Sequence, residues 1–371
     1  MSKIVFFLSN KTKNPILLHK KNLKIMIEDK LFMRRCLDLA KLGIGKASPN
    51  PMVGSLLLHD GEVIGEGFHK QYGGKHAEVN CFESVSEEKE VKIPQSILFV
   101  SLEPCCFHGN TPACSDLIIR KKVKDLRIST TDKTPKVNGK GLEILKNADV
   151  EVKTRILENL GNWFVRFRTV FVTKKRPYII LKYAVSKDGY IGKKGENIWL
   201  TNPISKRLVH KWRSEVGAIM VGTNTALTDN PTLNNRYFPG GSPLRIVTDR
   251  FNKISNDSNL KNGEIPTWII GNKNDDNDDP SINLTYLDLP EGAEFLPALF
   301  DRLVNLKIDT LLVEGGATLL KSFIDAGLWD EARVFETDKV IGNGIPAPKI
   351  EGRIDTVEEV GSDRLVFRYA Q

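Results

Sequence analysis

His76-Ala77-Glu78, Glu103-Pro104-Cys105 and Cys114 constrain this chain more than any other residues. An imidazole and two thiols in three separate segments can serve one centre only where the fold brings those segments together. His76, Cys105 and Cys114 would supply three ligands to a zinc ion, Zn2+, leaving the fourth tetrahedral position for water. Zinc lowers the pKa of such a water to about 7. Glu78, two residues after the imidazole, is placed to act as general acid/base.

That chemistry is the one used by zinc deaminases acting on nucleobases, whose signature is H-x-E followed by P-C-x-x-C. Here eight residues separate Cys105 from Cys114, a variant of the pattern. A structural zinc site would need a fourth protein ligand, for which Cys106 and His108 are the nearby choices, but it has no use for Glu78. Cys36 and Cys81 read as buried packing residues.

A chain of 371 residues exceeds the usual limit for one hydrophobic core, so two domains are expected. Hydrophobic content of 40% and charged content of 27% are those of an ordinary globular protein. Five cysteines, two of them adjacent, do not form a disulfide framework and suit a reducing compartment. The net charge of +8 fits an anionic small molecule; without a basic stripe interleaved with aromatics, nucleic acid is not expected. Residues 1–27 are basic and free of acids, and read as a poorly ordered extension or an over-extended start, with Met26 or Met33 as initiator. No run reaches the length of a membrane span. A cytoplasmic enzyme is expected.

From Asp29 to about Phe171, helical and strand-like patterns alternate. Val53 to Leu58 and Glu62 to Phe68 read as strands joined at Asp60-Gly61, a hairpin dipeptide. His76 to Val85 reads as a helix, Ser96 to Leu102 as a buried strand delivering Glu103-Pro104-Cys105, and Pro112 to Lys122 as the next helix. Metal ligands would then sit at two helix N-termini, where the positive dipole end favours thiolate. This predicts a three-layer α/β/α sandwich. Strand signals restart at Tyr178 and recur to Glu336, with helical patterns at Ser205 to Ser214, Leu296 to Leu306 and Ala317 to Ala326. Asn272 to Pro280 reads as a solvated loop. The second half lacks G-x-G-x-x-G, yet Glu314-Gly315-Gly316-Ala317-Thr318 ends a strand and opens a helix, where backbone N–H groups can approach a pyrophosphate. Val221-Gly222-Thr223-Asn224-Thr225 sits the same way after another strand.

Taken together, Pro49-Asn50-Pro51-Met52-Val53-Gly54, GEGFH ending at His69, the HAE motif, LEPC through Cys114, Asp188-Gly189, Trp199-Leu200-Thr201, HKWRS around Arg213, VGTNTALTDNPTLNNR and VEGGATLL resemble the bifunctional riboflavin-biosynthesis deaminase/reductases. The resemblance runs from about Asp29 to the C-terminus. It implies an α/β protein of two domains: a cytidine-deaminase-like zinc domain over 28–172, then a dihydrofolate-reductase-like domain over 173–371. The first would remove the 2-amino group from a diaminopyrimidinone ribosylamine 5′-phosphate, and the second would use NADPH to reduce ribosyl to ribityl. A homo-oligomer is also implied. The rival reading is a nucleobase, nucleoside or tRNA deaminase whose second domain is not reductive.

Carried over residue by residue, the resemblance implies that Asn50 and His69 contact the deaminase substrate. Asn197, Arg213, Leu233, Arg236 and Glu314 would bind the reductase substrate. Ala184, Trp199, Thr225, Asp229 and the run Gly316, Ala317, Thr318, Leu319, Leu320, Lys321 and Ser322 would hold NADPH. Lys182 and Asp229 are both candidates for the proton partner of the reduced centre. The pattern departs at Phe107 and Asn110, where the family has His and a cation, and at Asp132-Lys133-Thr134, where it has D-P-N. Loss of a phosphate-binding cation removes a charge-assisted hydrogen bond of about 1.5–3 kcal/mol. Weaker substrate binding with intact deamination is expected, with Lys133 or Lys136 as substitute cations.

Overall fold

Asp60 and Gly61 both adopt left-handed backbone, with φ of 48° and 81°. The chain therefore reverses in two residues and pairs His59 with Glu62. The computed structural model describes residues 15–109, 112–271 and 283–371, with side chains from residue 27. Asn110, the loop from Asn272 to Pro280 and the first fourteen residues of the basic extension lie outside the described residues.

The chain divides into two compact units. The first takes in the chain up to Leu42, Val53–Asp132 and Lys136–Phe164; the second takes in Gly43–Met52, Lys133–Pro135 and Val165–Gln371. Elements of the first are α1 (Pro15–Ala40), β1 (Gly54–His59), β2 (Glu62–Phe68), α2 (Ala77–Glu83), β3 (Ile97–Leu102), α3 (Cys114–Arg120), β4 (Asp125–Thr130), α4 (Lys140–Asn147) and β5 (Glu151–Lys153). They are followed by α5 (Glu158–Lys174), which crosses the unit boundary. Helix α1 starts well before Asp29, where the alternating pattern begins in the sequence, because residues 15–30 hold no breaker beyond Pro15 at the first helical position, where proline is tolerated.

The sheet order is β2-β1-β3-β4-β5, with β1 antiparallel to β2 and β3 and the remaining pairs parallel. Alternate residues of each strand face opposite layers. Leu57, Leu98, Val100, Leu126 and Ile128 meet Cys81, Phe82, Ile118 and Leu145 from α2, α3 and α4. On the other face lies α1, whose buried Cys36 Sγ donates to the Phe99 carbonyl at 3.6 Å. The expected three-layer sandwich is observed, and both packing cysteines are fully buried.

The second unit contains β6 (Tyr178–Val185), β7 (Tyr190–Gly192), α6 (Pro203–Glu215), β8 (Ala218–Val221), α7 (Thr223–Asp229), β9 (Leu244–Thr248), β10 (Thr267–Ile270), β11 (Leu284–Leu287), α8 (Phe295–Asn305), β12 (Thr310–Glu314), α9 (Ala317–Asp325), β13 (Glu331–Glu336), β14 (Ile345–Pro346), β15 (Arg353–Val360) and β16 (Asp363–Tyr369). Nine strands form one sheet in the order β11-β10-β9-β8-β12-β6-β13-β16-β15. It is parallel from β11 to β13, and β16 and β15 close it as an antiparallel hairpin. Because β12 lies between β8 and β6, the turns leaving the C-terminal ends of these strands adjoin, the usual ligand side of such sheets. Strand β15 exposes every residue but Val360, so it has no buried face to mark it in the sequence.

Gly67 on β2 lets α2 lie close. A Cβ there would fall 2.3 Å from the Cys81 backbone nitrogen and 2.4 Å from the Ala77 carbonyl oxygen. Gly67→Ala should therefore displace α2, destabilise the unit by about 1–3 kcal/mol and lower zinc content, since α2 follows directly on His76. Denaturant unfolding with metal analysis tests this; an unchanged midpoint and full zinc content would refute it.

Candidate active sites of the two units

Three backbone ends deliver the trio His76, Cys105 and Cys114 to one place.

 His76 is the extended residue that caps α2 (φ −69°, ψ 165°), Cys105 follows the end of β3 by three residues, and Cys114 opens α3. Glu103 secures the middle segment: its carboxylate accepts the N–H groups of Gly139 at 2.9 and 3.0 Å, Gly141 at 3.2 Å and Asp132 at 3.3 Å. His76 Nδ1 lies 3.3 Å from Cys114 Sγ and 3.5 Å from Cys105 Sγ, and the three ligand atoms all lie within 4.8 Å of one another. Tetrahedral zinc with ordinary Zn–N and Zn–S bonds requires an N···S edge of about 3.6 Å, so the trio fits that ion. The Cys114 hydrogen bond, with that from His76, pulls the Cys105 thiol down to about 4, and as zinc ligands both cysteines would serve as thiolates.

No fourth protein ligand joins them among the described residues. Cys106 Sγ instead donates to the Lys136 carbonyl at 3.5 Å, and His108 Nε2 lies 3.4 Å from Asp116. A three-ligand set matches a catalytic rather than a structural zinc site. Glu78 is buried, and burial raises its carboxyl above the usual range, which suits a group that must both take and give a proton. His69 stands beside the trio, its ring edge-on to His76 at 5.6 Å, with Nδ1–H donating to the Lys75 carbonyl at 2.9 Å. Burial lowers its pKa and keeps it neutral. Asn50 lies in the segment that groups with the second unit, its N–H bonded to the Ala47 carbonyl at 2.9 Å. Phe107 is partly exposed, with the Lys136 ammonium 6.0 Å from its ring.

In the second unit, Glu314 ends β12 directly beside Lys182 of β6. Arg213, from α6, grips Glu314 with two hydrogen bonds of 2.8 Å, and the Lys182 ammonium lies 3.7 Å away. Burial alone would raise the Glu314 carboxyl, but Arg213 and Lys182 outweigh it and hold it at about 2. Burial also lowers the Lys182 ammonium.

Gly315 and Gly316 follow with φ of 105° and 75°. A Cβ on Gly316 would lie 3.1 Å from Thr225 Oγ1, so the turn after β12 and helix α7 are in close approach. Of the run from Gly316 to Ser322, only the beginning faces this turn. Leu319 and Leu320 are buried in the core, Lys321 pairs with Asp325 at 2.7 Å, and Ser322 Oγ donates to the Leu319 carbonyl at 2.7 Å. Helical periodicity turns those two leucines inward, which the motif read as a linear string does not reveal. Ala317 and Thr318 open α9, and Thr318 is exposed.

Leu233 has a buried side chain and a left-handed backbone, φ 52°. Arg236 is exposed, with Nη1 donating to Asn234 Oδ1 at 2.5 Å. Trp199 is 55% exposed, with the Lys206 ammonium 4.5 Å from its ring, so it is no core aromatic. Asn197 is exposed and Ala184, on β6, is half-buried. Asp229 ends α7 open to solvent, yet the surrounding protein still raises its carboxyl. His210, which the sequence reading passed over, is buried one helical turn before Arg213. The signal was available in that i, i+3 spacing.

Residues 26–130 match the cytidine and deoxycytidylate deaminase zinc-binding region, and residues 177–364 match the RibD C-terminal domain. The chain is 33% identical to the riboflavin biosynthesis protein RibD of Aquifex aeolicus over 91% of this chain and 98% of that one. It is also 33% identical to RibD of Escherichia coli, over 85% and 89%. A crystal structure from Thermotoga maritima of a diaminohydroxyphosphoribosylaminopyrimidine deaminase/5-amino-6-(5-phosphoribosylamino)uracil reductase superposes with a TM-score of 0.84. That protein is 32% identical, covering 93% of this chain and 99% of its own. The chain belongs to the RibD family of riboflavin-biosynthesis proteins.

Membership joins the two halves into one bifunctional enzyme, a hydrolytic deaminase followed by a reductase. The rival reading, a deaminase with a non-reductive second domain, is not favoured, because the second half matches the family's own C-terminal domain. The family assignment brings zinc to the first unit and a nicotinamide cofactor to the second. No helix among the described residues is long and apolar enough to cross a membrane.

Two outcomes follow from the geometry. Cys105→Ala should reduce bound zinc from about one ion per chain to near none, read by metal analysis, because two ligands cannot retain the ion; full zinc retention would remove Cys105 from the site. Glu314→Gln leaves the largely buried Arg213 and Lys182 without their counter-charge and should cost about 3–5 kcal/mol, read by denaturant unfolding. A change below about 0.5 kcal/mol would show that the cluster is not structural.

Proposed function

We propose that the first unit deaminates 2,5-diamino-6-(5-phosphoribosylamino)pyrimidin-4(3H)-one and the second uses NADPH to reduce the resulting 5-amino-6-(5-phosphoribosylamino)uracil to its ribitylamino counterpart. The observation that carries this reading is the coexistence, in one chain, of a three-ligand metal trio beside a buried carboxylate and a reductase unit of the same family.

His76, Cys105 and Cys114 would hold zinc, which when bound supplies a Lewis acid that lowers the pKa of water to about 7. Glu78 relays both protons of the attacking water, one to the adjacent ring nitrogen and one to the exocyclic nitrogen, which leaves as ammonia while the water oxygen becomes the ring carbonyl. Its burial supports this shuttle, because an exposed carboxylate would seldom carry a proton at neutral pH. His69, neutral and beside the trio, and Asn50 are assigned to substrate contact.

NADPH, when bound, would supply the hydride that reduces the sugar C1′. The Gly315-Gly316 turn, the opening residues Ala317 and Thr318, Thr225, Trp199 and Ala184 are assigned to holding the cofactor. Leu319 and Leu320 support that turn from the core. Arg213, Arg236, Asn197 and the backbone at Leu233 are assigned to the substrate, with Glu314 orienting Arg213. Lys182 is the favoured proton partner of the reduced centre over Asp229, because it is set against Glu314 and Arg213 in a buried cluster while Asp229 opens to solvent. Preference for NADPH over NADH and assembly into a homo-oligomer rest on the resemblance, and a reducing cytoplasm suits the five free cysteines.

Incubation with the diaminopyrimidinone phosphate, with and without NADPH, and detection of both products by mass tests the whole sequence. Glu78→Gln should abolish ammonia release by at least about a hundredfold while NADPH oxidation with the deaminated intermediate stays at the wild-type rate. Equal loss of both activities would refute independent sites.

A further inference from the structure

We infer that His210 is a positioning residue of the reductase, holding the segment Asn234–Tyr237 so that Arg236 can meet the substrate. This rests on the reading above that Arg236 faces the substrate. His210 and Arg213 lie three residues apart on α6 and so share one face. From that face they grip the segment at two points. Arg213 Nη1 donates to the Asn234 carbonyl at 3.1 Å, and His210 Nδ1 accepts the Arg236 N–H at 3.2 Å. The His210 ring also meets Tyr237 edge-on at 4.6 Å.

The grip matters because the segment follows strained backbone. Asn230 and Leu233 take φ of 40° and 52°, and a left-handed leucine persists only where its surroundings over-determine it. Beyond the two grips, the side chains turn outward. The Arg236 guanidinium lies 5.1 Å from the Tyr237 ring, and the Lys206 ammonium lies 5.1 Å from the same ring and 4.5 Å from Trp199. Two cations and two exposed aromatics thus stand together, and the Arg236 backbone among them is held by the His210 imidazole nitrogen. Acceptance at Nδ1 requires a neutral ring with its proton on Nε2. Burial, together with the adjacent Arg213 and Arg236, lowers the ring to about 4 and keeps it neutral.

The step assigned to His210 is orientation, so it should appear in substrate binding and not in turnover. His210→Phe keeps a ring against Tyr237 and removes the acceptor. His210→Asn loses the ring but can place Oδ1 near the site of Nδ1. The experiment measures reductase kinetics of full-length wild type and both variants with the deaminated ribosylaminopyrimidine phosphate and NADPH, with melting temperature and deaminase rate in parallel. His210→Phe should raise KM for the pyrimidine by about tenfold, the size of one buried N–H left without its acceptor, with kcat and KM for NADPH within about twofold. His210→Asn should recover most of that loss. An unchanged KM in His210→Phe, or a fall in kcat that tracks a lower melting temperature and is not relieved in His210→Asn, overturns the inference. A wild type that fails to oxidise NADPH with this substrate overturns the functional reading, and this inference with it.

Discussion

Three ligands 29 and 9 residues apart can share one ion only if the end of β3 meets the N-termini of α2 and α3. That convergence organises the first unit. Gly67 removes the side chain that would hold α2 away from the sheet, and α2 then carries His76 and Glu78 to the end of β3. Glu103, which reads in the sequence as part of the site, proves to be its brace. Its carboxylate gathers N–H groups from the loop before α4 and fixes the segment from which Cys105 projects. An acid in the motif thus serves the metal indirectly, through the backbone N–H groups that it accepts.

A parallel solution appears in the second unit with different chemistry. Strands β6 and β12 pair in parallel, placing Lys182 beside Glu314, and α6 brings Arg213 to the same carboxylate. A carboxylate buried with two cations is costly to dismantle, so the cluster locks two strands and a helix in register at the end of the sheet where the turns of β8 and β12 adjoin. The Gly315-Gly316 turn and Thr225 then approach closely because glycine leaves room that any Cβ would fill. In both units the chemistry lies where parallel strands end and the backbone leaves the sheet, exposing N–H groups and side chains that the ladder elsewhere consumes.

Much of this was legible before any coordinates. Leu57, Leu98 and Ile128 mark strands, Asp60-Gly61 marks a hairpin, and the metal ligands are recognisable by chemistry alone. Other parts were not. Helix α5 carries no motif to mark it in the sequence, and its last residue, Lys174, opens the basic run Lys174-Lys175-Arg176. Strand β15 carries almost no buried residue, so its pairing with β16 leaves no periodic trace. Trp199 stands in a motif that the resemblance assigns to the cofactor, and its exposure beside Lys206 sets it apart from a core aromatic.

The sequence by itself determined the kinds of chemistry available: thiolates and an imidazole for zinc, a carboxylate two residues on for proton transfer, and glycine turns after strands for an anionic cofactor. Those follow from side-chain identity and short spacing, which survive any detail of packing. Tertiary structure decided which groups meet. Cys106 and His108 were turned away from the metal to other partners, Leu319 and Leu320 into the core, and His210 onto the backbone of Arg236. Such choices depend on distances between residues far apart along the chain, and burial, not local pattern, sets those distances.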